Sequence, residues 1–299
     1  MSVRFVIGRA GTGKTHHCLT AIQEELARDP LTGPRLMLLV PEQASLQMER
    51  ALLSGPVRAT ARAEVLSFRR LALRILGPVA THRKLLSPIG RAMVLRSLLQ
   101  RLAGELRYYH RVDRLTGFLD CLGQTIDELI AEGVSPDDLR VSAAGPESGA
   151  AQLLKLADVA DVYAAYLAYL GDERLDASQY LRLAGTLLAK SDAYRGARIW
   201  VDGFAGFTGQ ELSLLAALAA RAEHVAITLL VDPEVFSQVD RGGDIDPAGL
   251  FARPLRAYAR LREALHEAGC TRAQPRALPG SPPPRFTASA DLARVEAQF

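Results

Sequence analysis

Gly8-Arg9-Ala10-Gly11-Thr12-Gly13-Lys14-Thr15 satisfies the pattern GxxxxGK[ST], between a short apolar run and a helix-patterned stretch. Glycines at those positions let backbone N–H groups turn toward phosphate oxygens, and a following helix N-terminus adds partial positive charge. Lys14 then reaches the β and γ phosphates of a nucleoside triphosphate, most simply ATP, and the Thr15 hydroxyl supplies a ligand for Mg²⁺. A chance match in a chain of this length is on the order of 1%. Gly8, Arg9, Ala10, Gly11, Thr12, Gly13, Lys14 and Thr15 are therefore all assigned to nucleotide contact.

Hydrolysis needs an acid at the end of another strand to hold the metal, with a base beside it. Asp202 follows Ile199-Trp200-Val201, and Asp232 follows Leu229-Leu230-Val231. Asp202 is taken as the metal acid with Thr15, against the plainer reading of Asp202-Gly203 as a turn that caps the strand end. The residue after each aspartate, Gly203 or Pro233, cannot move a proton, so binding is better supported than turnover. Glu211 lies beyond the turn and receives no role.

The elements that would position these groups follow from apolar spacing. Val3–Ile7, Leu36–Val40 and Ala63–Leu66 read as buried parallel strands. Helices are expected at about Lys14–Ala27 and Gln43–Leu53, and from an N-cap at Ser67 to Leu76. From Pro88 to Leu188 the period becomes helical, through Ile89–Leu102, Leu115–Ile130, Leu153–Leu170 and Tyr180–Leu188. Strand-like runs resume at Ile199–Val201 and Val225–Val231, with a helix at Gly209–Arg221 between them. A helix at Leu250–Ala268 and a proline-rich loop around Pro275–Pro284 come next. The fold class is thus α/β, a parallel sheet of phosphate-loop NTPase type with a large helical insertion. Its sheet domain comprises 1–80 and 196–270, its insertion 81–195. Residues 271–299 open a further segment, because Leu292, Val295 and Phe299 keep helical spacing with no stop signal, as in a piece of a longer protein.

Composition narrows the class. At 48% hydrophobic residues, 299 residues suffice for one large core or two smaller ones, which sets disorder aside. No apolar stretch approaches a signal peptide or a membrane span, so no membrane partner is expected and the chain reads as cytoplasmic. Cys18, Cys121 and Cys270 lie far apart without ligand spacing and read as small buried hydrophobes rather than a disulfide or zinc framework. The net charge of +3 hides an asymmetry: Arg58 through Arg114 holds 13 Lys or Arg against Glu64, Glu105 and Asp113, a local +10. With Tyr108 and Tyr109, this segment suits a nucleic-acid backbone with stacking nearby. A solvated helix surface or a subunit interface is the alternative.

The order of motifs resembles one family. After the glycine loop come Leu38-Leu39-Val40-Pro41-Glu42-Gln43, Glu64-Val65-Leu66-Ser67-Phe68-Arg69-Arg70-Leu71-Ala72 and, much later, Trp200-Val201-Asp202-Gly203-Phe204. The series, continued to Leu292–Gln298, is similar to the AddB family, the B subunits of bacterial AddAB helicase–nucleases. That resemblance implies a RecA-like domain of UvrD-type helicase architecture, a partner A subunit with an active motor, and DNA (double-strand ends and single strands) as the substrate of recombinational repair. It also implies that the motor motifs have decayed, with Gly203 where an active relative carries glutamate and Asp202 as the remnant of the metal site. Gln43 falls where related helicases approach DNA or relay nucleotide state, or is a plain exposed residue opening a helix. The family's nuclease domain and iron–sulfur cluster lie in a C-terminal part outside this sequence, and the three cysteines here do not match that cluster's ligands. An active translocase and, less favoured, a small-molecule kinase are the competing readings.

Overall fold

Seven parallel strands build the sheet that carries the glycine loop. The computed structural model describes residues 2–54, 59–110, 116–144, 149–278 and 283–298. The chain falls into two compact units, one of Met1–Ile75, Gly185–Phe207 and Glu211–Phe299, the other of Leu76–Ala184 with Thr208–Gln210.

In the first unit, β1 (Ser2–Gly8) runs into the loop, and α1 (Lys14–Arg28) begins at Lys14. Then follow β2 (Leu36–Leu39), a 3₁₀ turn at Glu42–Ala44, α2 (Ser45–Leu53), β3 (Ala63–Leu66) and α3 (Phe68–His82), along which the chain passes into the second unit after Ile75. Ser67 accepts from the Arg70 amide and caps α3 as its position predicts. The helix outruns the expected end at Leu76 because the chain resumes helical geometry after one non-helical residue, Gly77. At φ 43°, ψ −123°, Gly77 occupies backbone space that side chains disfavour.

The second unit holds β4 (Lys84–Leu85), α4 (Pro88–Leu102), α5 (Thr116–Glu132), α6 (Pro136–Ala143), α7 (Ala150–Leu170) and β5 (Arg174–Leu175). Along α8 (Tyr180–Ala189) the chain passes from this unit into the first. Leu95, Leu98 and Leu99 of α4, Ile126 and Ile130 of α5, and Tyr163, Tyr166 and Leu170 of α7 form the second unit's core at helical spacing. Each fully buried side chain of this size contributes about 1.5–3 kcal/mol. Three elements here differ from the sequence reading. The two-residue β4 and β5 pair in parallel, too short to leave a periodic signal. α6 starts at a capping box in which Ser135 and Asp138 satisfy each other's backbone N–H groups.

The sheet is completed by β6 (Arg198–Val201), α9 (Gly209–Ala219) and β7 (His224–Leu230). α10 (Pro233–Asp240), α11 (Ala252–Glu267), β8 (Thr271–Arg272), β9 (Arg276–Ala277) and α12 (Ala290–Ala297) follow. Strand order is β3-β2-β6-β7-β1-β8, with β9 also on β1. β1 pairs with β7 from Ser2↔His224 to Gly8↔Leu230, and β2 with β6 from Leu36↔Arg198 to Leu39↔Val201. These strands are largely apolar, broken by Thr228 in β7 and by exposed Arg4 in β1, because both faces are mostly covered; Val6, Cys18, Ile22, Leu36, Leu38 and Trp200 share one side's core. β9 lies within the stretch expected as a proline-rich loop and is again only two residues long. The expectation for the cysteines holds for Cys18 alone: Cys121 is exposed and Cys270 half-buried. Cys121 sits on α5 beside the core residue Leu122, and a single step along a helix turns a side chain about 100° from its neighbour, out of the apolar stripe. No helix among the described residues is long and apolar enough to cross a membrane.

Candidate nucleotide site

The loop between β1 and α1 is shaped by its glycines. Gly11 and Gly13 hold φ of 80° and 87°, the left-handed region where side chains are strained. Gly8 is demanded differently: a Cβ there would stand 2.3 Å from the Thr12 hydroxyl. That hydroxyl closes the turn by donating to the Arg9 carbonyl at 2.9 Å, and Thr12 itself is buried. The first intrahelical bond of α1 is His17 N–H to Gly13 O at 2.8 Å. The amides of Gly11, Gly13, Lys14, Thr15 and His16 have no acceptor among the described residues. A run of N–H donors without acceptors, with alternating backbone hand at a helix N-terminus, is an anion-binding concavity.

Lys14 folds over this loop, its ammonium donating to Gly8 O at 2.7 Å and Arg9 O at 2.8 Å. Burial pulls its pKa below the ordinary lysine value, and the Asp202 carboxylate opposes that pull. Thr15 donates its hydroxyl proton to Asp202 Oδ2 at 2.6 Å across 187 residues of sequence. The other carboxylate oxygen of Asp202 accepts from Thr228 Oγ1 at 2.6 Å, and its backbone N–H donates to Leu39 O. Asp202 is 5% exposed. The fold thus brings Lys14, Thr15 and Asp202 together at the C-terminal edge of the parallel sheet, where open α/β sheets place their ligands. Thr15 and Asp202 offer two hard oxygens side by side, a donor set that fits Mg²⁺. Among the described residues no cluster of three or more His, Cys, Asp or Glu exists that would hold a metal by protein ligands alone.

Asp232 has another use. Its carboxylate accepts from the Glu234 and Val235 amides and caps α10, with Pro233 as the first helical residue. Asp-Pro is a readable helix start, and it was the signal for this unanticipated element. Thr228, the second partner of Asp202, carried a fainter one as a polar residue inside the apolar run of β7. Gly203 sits at φ 82°.

Arg9 does not face the cradle. Its Nε lies 2.7 Å from Glu296 Oε1, its Nη2 donates to Glu296 O at 2.7 Å, and its Nη1 stands 3.8 Å from Asp232 Oδ2. Ala10 continues the loop beside it, exposed.

The basic segment divides by environment. Arg62 is buried, with its guanidinium donating to the carbonyls of Glu25, Asp29 and Pro34. Arg70 pairs with Glu49, Arg74 with Glu64, Arg83 with Asp172, and Arg91 with Asp127. Arg69, Lys84, Arg96, Arg101 and Arg107 are exposed and carry no ion pair among the described residues. Arg58, Arg111 and Arg114 lie outside those residues. Tyr109 packs on Phe118 at 4.8 Å, while the Tyr108 ring, 40% exposed, lies under the Lys155 ammonium. Gln43 is exposed in the 3₁₀ turn.

Residues 5–296 match the family described as "ADDB, N-terminal". The chain is 44% identical to the B subunit of the ATP-dependent helicase/deoxyribonuclease of Pelotomaculum thermopropionicum, over 89% of this chain and 23% of that protein. The proteins of the same name from Heliobacterium modesticaldum and Desulforudis audaxviator are 40% and 38% identical, over 96% and 100% of this chain. They are covered over 24% and 25% of their length, so the chain spans about a quarter of the curated relatives it matches. On these grounds the chain belongs to the AddB N-terminal family.

Proposed function

We propose that this chain is the ATP-binding region of the B subunit of a DNA helicase–nuclease that processes double-strand ends for recombinational repair, with weak or no motor activity of its own. The observation that carries this reading is the Thr15–Asp202 hydrogen bond at 2.6 Å, set beside a glycine loop with a run of amides that have no acceptor among the described residues. The parallel sheet with its loop after β1 supports a RecA-like phosphate-loop domain, and the family membership supports UvrD-type architecture. The loop backbone from Gly8 to Thr15 and the Lys14 ammonium would hold the triphosphate, and Thr15 with Asp202 would hold Mg²⁺, which screens phosphate charge when bound.

Gly203 favours binding over turnover more strongly than its lack of a side chain. At φ 82° the backbone after Asp202 has left the region that an L-residue adopts easily. The residue after Asp202 offers no side chain to serve as a base, and its backbone lies in the left-handed region.

The A subunit and DNA are the partners this reading requires, in the cytoplasm, and the exposed cations Arg69, Lys84, Arg96, Arg101 and Arg107 are its candidate backbone contacts. An iron–sulfur cluster belongs to the remainder of the family's longer chain. The deciding experiment compares the full-length protein with its Lys14→Ala variant for ATP binding and hydrolysis, alone and with duplex ends and single strands. Lys14-dependent binding with negligible hydrolysis is expected. DNA-stimulated turnover that Lys14→Ala abolishes would make it an active translocase instead.

A further inference from the structure

The glycine loop is held from outside at three points by one segment. The Arg285 amide donates to Gly11 O at 3.3 Å. The Phe286 ring covers Gly11 so closely that a Cβ there would lie 2.9 Å from Phe286 Cε2 and 3.2 Å from Arg285 Cβ. Arg9 reaches Glu296 at the end of α12 through its side-chain ion pair and its bond to the backbone carbonyl, each 2.7 Å, with the two side chains 23% and 13% exposed.

This segment has little else to hold it. Of the side chains described in 283–298 only Pro283 is buried, and the two large apolar residues of α12, Leu292 and Val295, are each 53% exposed. An eight-residue helix without an apolar face in a core has almost no stability of its own. Its docking therefore rests on the loop, and the loop geometry it recognises includes Gly11 at φ 80°. A flexible glycine loop loses conformational freedom when it grips a phosphate, and a segment that already selects one loop geometry has met part of that cost.

We propose that residues 284–298 are a nucleotide-responsive element, with Glu296 as a positioning residue that acts through Arg9 to hold the loop in its phosphate-binding geometry. The inference rests on the nucleotide reading above. By linkage it works in both directions: a docked segment raises affinity for the triphosphate, and a bound triphosphate raises the occupancy of the docked segment by the same factor. Arg9 ties the loop to both the α10 cap at Asp232 and α12, so occupancy would be reported to the chain that follows Glu296.

The test uses the full-length protein and a fluorescent ATP analogue with Mg²⁺. Glu296→Gln is expected to weaken binding about tenfold, within the range of ordinary coupling energies. Arg9→Gln should weaken it similarly, and the double variant no more than either single change, since both break one link. Additive losses, no loss, or tighter binding in Glu296→Gln would each overturn the proposal. In the unmodified protein, Mg–ATP should slow hydrogen exchange of peptides covering 284–298, and unchanged exchange would overturn it as well without any variant. Binding insensitive to Lys14→Ala would sink the nucleotide reading and this inference together. Lys14-dependent binding that ignores Glu296 would sink the inference alone.

Discussion

Each unit buries aspartate, and the two units put it to opposite uses. In the helical unit, Asp158 is 2% exposed and accepts from the backbone amides of Arg107, Tyr108 and Tyr109 at 2.8–3.0 Å. Asp176, 5% exposed, accepts from the hydroxyls of Tyr166 and Ser178. Asp158 thus ties down otherwise orphaned donors in the turn after α4, as buried backbone groups require. In the sheet unit, Asp202 is equally buried, yet both its partners are threonine hydroxyls, one of them on the glycine loop. Hydroxyls can turn to another acceptor or a metal, whereas amides fixed in a turn cannot. Burial marks all three, and Asp176 shares the hydroxyl donors of Asp202; what sets Asp202 apart is that one of its donors, Thr15, belongs to the glycine-loop motif.

That contrast can be broken by substitution. Asp158→Ala leaves three part-buried amides without this acceptor and should destabilise the chain by about 1–3 kcal/mol, seen in thermal or urea unfolding. Lys14-dependent ATP binding below the transition should survive it, and loss of binding at unchanged stability would erase the distinction. Asp202→Asn keeps the shape and the means to accept from one threonine but loses the charge. It should lower affinity for Mg–ATP about tenfold, with a much smaller change for ATP in EDTA, as titration in the two buffers would show.

Gly203→Glu sharpens the argument about turnover. The position has room, with Pro41 Cδ at an ordinary 3.5 Å from a Cβ, so only the backbone conformation resists. A cost of about 1–2 kcal/mol is expected, with no gain in ATP hydrolysis. A variant that hydrolyses ATP would show that the missing carboxylate alone had silenced the motor.

The smallest effect concerns acid. Burial first, then nearby cations, lower the pKa of two half-buried histidines: Arg276 and Arg4 act on His17, Arg4 and Arg198 on His224, with Glu24 and Glu223 opposing. The unfolded chain therefore takes up these protons at higher pH than the folded one, and stability falls as pH drops below about 6.5. Melting temperature should decline gently from about pH 7.5 to about 5.5, and His224→Gln should flatten part of that slope.

Much of this was legible in residue order. Strands β1, β2, β6 and β7 announce themselves as apolar runs, and the loop by its glycines and Lys14. Asp202, the acid that the residue order assigns to the metal, stands beside Thr15, while Asp232 caps α10. The two-residue strands carried no period to read. Arg9 gave no sign of its partner, because Glu296 lies 287 residues away and nothing local ties an arginine in a glycine loop to a glutamate in a short helix. Nor could charge counting foresee that Arg62 spends its guanidinium on three carbonyls.

The pairing of β1 with β7 has a consequence for how the chain is made. Ser2 meets His224, so during synthesis β1 waits for a neighbour 222 residues downstream. At about 5–20 residues per second, that is roughly 10–45 s in which Val3, Phe5, Val6 and Ile7 have no mate. Such a strand is an adhesive edge until β7 emerges, and over that interval the finished sheet contributes nothing to its protection.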